Sequence, residues 1–258
     1  MKRDVNMKRF KIGIQLYSLR DQMKEDFEGT LKKVSEIGYD CVEFAGYYDY
    51  SAEELKQILD KYGLTAPTVH QRHDEFLENC QGKMDFLKTL GVKYIAFPGV
   101  WIENFKTHEE YPQIVKDINY VCDMAKKNGF EVLYHNHSHE FSTFEDKYNL
   151  EWLIEDTGVM PELDVCWARF AGLNPAEYML KYKDHMPVVH MKDFTYNEDK
   201  SYPVMRPLGD GEVDITSVLK SAEEIGSEYL IVEQDNFTDI DAFDAIEKSF
   251  KYLKELGA

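Results

Sequence analysis

The sequence predicts an α/β protein, a closed (β/α)₈ barrel in which each of eight parallel strands is followed by a helix. Three observations predict it. Eight short apolar runs rich in β-branched and aromatic residues recur along the 258 residues. Longer segments of helical apolar periodicity separate them, and strands that alternate with helices pair in parallel. Polar and ionisable residues gather at one end of nearly every run, and barrels of this kind carry their chemistry at the C-terminal ends of their strands. A doubly wound open sheet is the alternative. It is disfavoured because the first strand is followed by GIQLYSLRDQM, which lacks a glycine-rich GxGxxG turn. No linker or low-complexity segment divides the chain, so one domain over residues 1–258 is expected.

The runs, in order, are KIGIQLYS, CVEFAG, APTVH, YIAFPGV, EVLYHNH, ELDVCW, VVHMKDF and YLIVEQD. The first ends in Gln15, Tyr17, Ser18 and Arg20. The second offers Glu43, and the third His70 with Arg72 and His73 beyond. The fourth gives Pro98 and Trp101, and the fifth His135, Asn136, His137, His139 and Glu140. The sixth gives Asp164 and Trp167, the seventh His190, Lys192 and Asp193, and the eighth Glu233, Gln234 and Asp235. Between them, Leu31, Val34 and Ile37 form one helical stripe, closed by Gly38. Ile114, Val115, Ile118, Val121, Cys122 and Ala125 form another, with Gly129 at the expected C-cap. Phe243, Ile246, Phe250 and Leu253 form a third near the end. The longest irregular stretch is expected at Thr195–Asp214, after the seventh strand. A loop of that length is usually functional or mobile.

Composition narrows the function. A net charge of −18 argues against nucleic acid and anionic membranes, whose phosphates demand a basic footprint. Cysteines 41, 80, 122 and 166 form no CxxC pair and read as reduced thiols of a cytoplasmic protein. The N-terminal MKRDVNMKRF is basic, but no apolar stretch follows it, so no secretory leader is expected. No run approaches the ~18 apolar residues of a membrane span.

Three ionisable residues stand out because they lie in or at the end of apolar runs: Asp164, His190 and Glu233. Burying isolated carboxylates there is costly, and a divalent cation removes the cost. Two carboxylates with imidazole suit Mn²⁺, Co²⁺, Zn²⁺ or Mg²⁺. Each residue alone also fits a hydrogen-bonded interior polar group.

These motifs together resemble the xylose isomerase-like barrels, the superfamily of sugar phosphate isomerases and epimerases. The resemblance covers nearly the whole chain. It rests on QLYSLRD, VEFAG, YHNHSHEF, ELDVCW, HMKD, LGDGEVD and VEQD. It implies one divalent metal ion held by residues from strands five to eight. Asp164, His190 and Glu233 match three of the four ligands. At strand five many relatives have a glutamate, where this chain has His135, so His135 is the expected fourth ligand. Glu140 is expected on the substrate side.

The implied activity is isomerisation or epimerisation of a sugar by α-proton abstraction through an enediolate. Glu233 and the imidazoles of His135 and His137 are candidate bases, and Lys192 is a candidate donor to a developing oxyanion. Tyr17, Glu43, His70, Trp101, Trp167 and Arg206 are the candidate substrate contacts, with the indoles suited to stacking on a sugar. Gly209 and Gly211 in LGDGEVD resemble a phosphate cradle weakly; that stretch is expected to shape the pocket wall and to start a helix capped by Asp214. Phosphorylation of the substrate stays open, as does homo-oligomerisation. Loss of the strand-five glutamate raises a second reading, a lyase or hydrolase of a keto-sugar, keto-glycoside or inosose acting by β-elimination. A noncatalytic carbohydrate-binding barrel is the third. If His135 has replaced the usual glutamate as ligand it must be neutral to bind, as must His190, so metal binding should weaken as pH falls through the imidazole range, from about 7 toward 5.

Overall fold

The computed structural model describes residues 10–258, so most of the basic N-terminal stretch lies outside the described residues. Eight parallel strands close into a barrel. They are β1 (Lys11–Gln15), β2 (Cys41–Phe44), β3 (Thr65–His70), β4 (Tyr94–Phe97), β5 (Glu131–His135), β6 (Met160–Asp164), β7 (Val188–Met191) and β8 (Tyr229–Val232). Each lies within one of the eight sequence runs or extends it by one or two residues. Neighbours in sequence are neighbours in the barrel, and β8 pairs with β1 to close it. Main helices follow the strands: α1 (Phe27–Ile37), α2 (Ala52–Tyr62), α3 (Cys80–Leu90), α4 (Tyr111–Asn128), α5 (Asn149–Thr157), α6 (Pro175–Met179), α7 (Ile215–Ile225) and α8 (Ala242–Glu255).

Local chemistry sets the helix ends. Asp26 caps α1 by accepting from Gly29 N at 2.9 Å, and Asp214 caps α7 by accepting from Ser217 N at 3.0 Å. Gly38 and Gly129 end α1 and α4 in left-handed conformations, as their places after the apolar stripes predict. The stripes pack as expected: Leu31, Val34, Ile118, Val121, Ala125, Ile246 and Leu253 are buried in the layer between helices and barrel.

The barrel interior is stratified. Its lower part is apolar, built from Cys41, Tyr94, Ala96, Leu133, Val188 and Ile231. Side chains two residues apart along a strand share a face. One step up from Cys41, Leu133, Val188 and Ile231 therefore stand Glu43, His135, His190 and Glu233, all buried. The strand pattern thus changes from apolar to ionisable toward the C-terminal mouth.

The stretch Thr195–Asp214 is less irregular than the sequence predicts. Asp193–Tyr196 pairs antiparallel with Pro203–Arg206. Phe194 and Met205 anchor this hairpin by burial, while the polar segment between its strands masks the strand signal. Pro203 opens its strand, a position where a missing N–H is tolerated. A second small hairpin joins Thr143–Phe144 to Lys147–Tyr148. Among the described residues no helix is long and apolar enough to cross a membrane.

Candidate functional site

Asp164 and His190 lie side by side in the register of β6 and β7, and Glu233 follows directly on β8. His135 ends β5 opposite Glu162 of β6. Potential ligand atoms of His135, Asp164, His190 and Glu233 all lie within 4.8 Å of one another. These are the four residues expected from the sequence as metal ligands, and the barrel brings all four together. A second group, His70, His135, Glu162 and His190, meets the same limit one layer deeper.

The two groups share His135 and His190, and each shared ring turns one nitrogen to each. His190 Nδ1 lies 3.1 Å from Glu233 Oε2, while its Nε2 lies 2.6 Å from Glu43 Oε2 and 3.4 Å from Glu162 Oε2. His135 Nε2 lies 4.0 Å from Asp164 Oδ2, and its Nδ1 3.7 Å from Glu162 Oε2. His70 Nε2 lies 2.8 Å from Glu162 Oε2, and its ring stacks on His190 at 5.0 Å. Glu43 also accepts from Thr68 Oγ1 at 2.9 Å.

Lys192 enters from the seventh strand and is 1% exposed. Its Nζ lies 3.1 Å from Asp164 Oδ2, 2.8 Å from Glu233 Oε2 and 3.0 Å from Asp235 Oδ1. Three carboxylates therefore surround one ammonium. Burial opposes its charge, but Asp164, Asp235 and Glu233 hold its pKa well above the usual lysine range.

The same balance sorts the imidazoles. Burial works against a charge on His190, yet Glu162 and Glu43 hold its pKa well above the ordinary value. Both His190 nitrogens face carboxylate oxygens, Nδ1 that of Glu233 and Nε2 that of Glu43. Burial, with His190 and His70 adding to it, keeps His135 well below the ordinary value. Burial and Lys192 push His137 down to about 3. Both are neutral rings at pH 7. Burial raises Asp164, while Glu233, despite burial, is held well below the carboxylate range by Lys192 and His190.

The donor set fits a divalent cation. It offers two nitrogens and two oxygens, a mixed set suited to borderline ions. His135 Nδ1 is buried without a hydrogen-bond partner, and Asp164 Oδ2, also buried, makes no hydrogen bond and has the Lys192 ammonium 3.1 Å away, whereas buried polar atoms are ordinarily hydrogen-bonded.

Above this floor opens a cavity of about 760 Å³. Tyr17, His70, Trp101, His135, His137, Trp167, Lys192 and Glu233, all singled out from the sequence, line it. Glu43, Glu140 and Arg206 do not. Glu43 is turned to His190 Nε2 instead of the cavity. Glu140 is fully buried behind the wall, where its Oε1 accepts from Tyr134 Oη at 2.8 Å and its Oε2 from His137 N at 2.8 Å. It fixes the YHNHSHEF turn against the barrel. Gly99 presses on that turn, and a Cβ there would meet His137 Nδ1 at 3.1 Å. Arg206 donates to Thr195 on the hairpin and to Asp239 in the segment after β8.

The glycine loop LGDGEV is closed by an internal carboxylate. Asp193 Oδ2 accepts from Gly209 N and Gly211 N at 3.0 Å, and Oδ1 from Phe194 N at 2.9 Å and Val213 N at 3.0 Å. A Cβ at Gly211 would lie 2.2 Å from Asp193 Oδ1, which is why glycine stands there.

Sequence reasoning passed over Glu162, although it stands two residues before Asp164 and therefore on the same face of β6. It also passed over Tyr202, Gln71, Glu75 and Phe170 on the cavity wall. Tyr202 lay hidden in the stretch read as irregular.

Comparison with known proteins agrees with this architecture. A protein named inosose dehydratase from Clostridium perfringens (strain 13 / Type A) is 23% identical, with 89% of each chain covered. A 2-oxo-tetronate isomerase from Haemophilus influenzae is 23% identical, covering 78% of this chain and 84% of its own. The crystal structure of a sugar phosphate isomerase/epimerase from Parabacteroides distasonis superposes with a TM-score of 0.79 at 25% identity, covering 98% of this chain and 96% of its own. Residues 31–256 match the family described as Xylose isomerase-like TIM barrel, and the chain belongs to that family.

Proposed function

We propose that the chain is a divalent-metal-dependent enzyme that removes the proton α to a carbonyl of a sugar or sugar derivative and thereby isomerises or epimerises it. One observation carries this reading: His135, Asp164, His190 and Glu233, from four adjacent strands, converge beneath an open cavity that Lys192 also lines. The metal, when bound, supplies a Lewis acid that polarises the substrate carbonyl. His135 and Asp164 hold it with His190 and Glu233. His135 is suited to this because its ring is already neutral.

Glu233 lines the cavity as a carboxylate and is the proposed base. Its basicity is low while Lys192 holds it at 2.8 Å. A substrate oxygen that gathers negative charge competes for the same ammonium. Lys192 then stabilises that oxygen and releases Glu233 to take the proton, so the two roles are linked. His137, a neutral ring on the wall, accepts a substrate hydroxyl hydrogen. Trp101, Trp167 and Tyr17 offer faces for the sugar C–H surface.

A second reading, α-proton removal followed by β-elimination, draws on one observation. Glu140 stays locked behind the wall, and of the two carboxylates of the four-residue group Glu233 is the one that lines the cavity, so a second carboxylate base for the opposite face of the sugar is not at hand in that group. Elimination needs a single base and an acid for the leaving group, and Glu233 with Lys192 supplies such a pair. The similarity to inosose dehydratases supports this reading, and the similarity to 2-oxo-tetronate isomerase supports the first.

The test is incubation of metal-loaded protein with ketoses, keto-glycosides and inososes in D₂O, followed by NMR. Deuterium at one carbon of recovered or isomerised sugar is expected. An unsaturated or dehydrated product would move the assignment to elimination. No exchange with any carbonyl substrate would overturn both.

A further inference from the structure

The cavity is larger than its floor requires. Its roughly 760 Å³ falls among pockets that enclose drug-sized ligands, about 300–1,000 Å³. One sugar ring over the metal group leaves the outer part unfilled. That outer part is aromatic. Trp101 is 69% exposed, Tyr202 56% and Tyr17 45%, and they account for three of the six large apolar side chains most exposed among the described residues. They come from the connections after β4, β7 and β1 and meet around one cavity. Trp101 is braced by His137 and His139, with ring centroids 4.6 and 5.1 Å away, so its platform is held in place. Deeper on the wall, Trp167 Nε1 is a buried donor without a partner.

The charges around this space are spoken for. Lys192 is enclosed by Asp164, Glu233 and Asp235. Arg72 is bound to Asp74, with Nε 3.0 Å from Oδ1. Arg20 lies outside the cavity, over the Tyr17 ring. The glycine-loop amides that would cradle a phosphate are taken by Asp193. Glu75, Glu233 and Asp235 on the lining repel an anion.

Resting on the function proposed above, we infer that the outer cavity is a second subsite for a ring carried on the reacting sugar, and that the substrate is an uncharged glycoside. Trp101, Tyr202 and Tyr17 stack on that second ring, and the Trp167 indole donates to an oxygen near the linkage.

The test is calorimetric titration of the Mn²⁺-loaded chain with D-glucose, glucose 6-phosphate, cellobiose and phenyl β-D-glucopyranoside. A two-ring ligand should bind about tenfold more tightly than glucose, the factor expected from one well-placed aromatic stack. Whether cellobiose or the phenyl glucoside gains more tells a sugar from an aromatic second ring. Trp101→Ala and, separately, Tyr202→Ala should reduce the ratio of two-ring to one-ring affinity. Equal or absent binding of both two-ring ligands would overturn the inference. So would tighter binding of glucose 6-phosphate than of glucose, or a dimer that Trp101→Ala dissociates, since the rim would then be a contact between copies. Failure of the α-exchange chemistry would show itself instead as no deuterium uptake from any ketose, with the affinity ratio untouched.

Discussion

Glu43→Gln is nearly isosteric and tests how the deep layer serves the candidate metal group. Glu43 is fully buried, 2.6 Å from His190 Nε2, and also accepts from Thr68. If His190 binds the ion through Nδ1, Nε2–H donates to Glu43, which fixes the ring and makes it a stronger ligand. Loss of such an outer partner typically weakens metal binding about 10–100-fold, or about 1.4–2.7 kcal/mol. A second effect opposes it. Glu43 also raises the pKa of unliganded His190, so it stabilises the very proton the metal must displace. The substitution therefore lowers intrinsic affinity and relieves proton competition together. The loss should be larger near pH 9, where competition is weaker, than near pH 7. The assay is metal titration against a fluorescent chelator at both values, with thermal melting to show that the fold is kept. An unchanged affinity near pH 9 in a folded protein would refute Glu43 as the residue that orients His190. A loss that grows toward low pH would refute the sign of the argument.

Elemental analysis of loaded protein should find one ion per chain, because the two overlapping groups share His135 and His190; Asp164→Ala and His190→Ala should each lose it with the near-UV circular dichroism largely kept. Binding at pH 7 should release about one proton, from His190 and none from His135, so affinity should fall steadily, with a slope of about one proton, at every pH below the raised pKa of His190, the range from 7 to 5 included; calorimetry in buffers of different ionisation enthalpy counts it, and His135→Glu should leave the count unchanged. Glu140→Gln should keep metal affinity while lowering turnover and stability, the latter by about 1–3 kcal/mol in urea melts, because its carboxylate holds Tyr134 and the backbone of His137. Asp193→Asn should cost about 2–3 kcal/mol, since an amide nitrogen would face N–H groups that the carboxylate now satisfies.

The barrel was legible because strand and helix periods differ and each run kept its own. The C-terminal ends of the apolar runs, His135 after Leu133 and Tyr134 and His190 after Val188 and Val189, already marked where the ionisable residues gather. The four-residue group followed from that, with the residue at each strand end. What stayed hidden was depth and direction. Glu43 and Glu233 look alike in their runs, yet one is turned to His190 Nε2 and the other lines the cavity. Depth depends on the barrel's register, seen in Gln15 opposite Glu43 and Glu43 opposite Thr68, which no single run contains. Glu140 sits in a turn, where period gives no direction, and it is held by Tyr134 six residues earlier on β5. Glu162 was within reach of the period-two rule but was masked by Asp164 beside it.

The histidine at the end of β5 acquires a physical reason from Lys192. Around the mouth stand three carboxylates, Asp164, Glu233 and Asp235, and one ammonium, a formal charge of −3 + 1 = −2. One divalent cation would bring that to zero, were His135 and His190 to bind it as neutral rings. A glutamate at position 135 would leave the same buried group at −1, a cost that grows with burial. On the proposed ligand set Lys192 and His135 would therefore be a matched pair: Asp164 and Glu233 would satisfy the ion's charge, Asp235 would balance the lysine, and the remaining ligands would need only to donate lone pairs. Lys192→Met separates this account from one in which the lysine only acts on substrate. It removes a positive charge about 3 Å from two proposed ligands, so metal affinity should rise as proton abstraction falls. In the double variant with His135→Glu the gain should persist less than additively, because the charge is then over-supplied by two. A lysine that serves catalysis alone would lower exchange into substrate and leave metal affinity where it was.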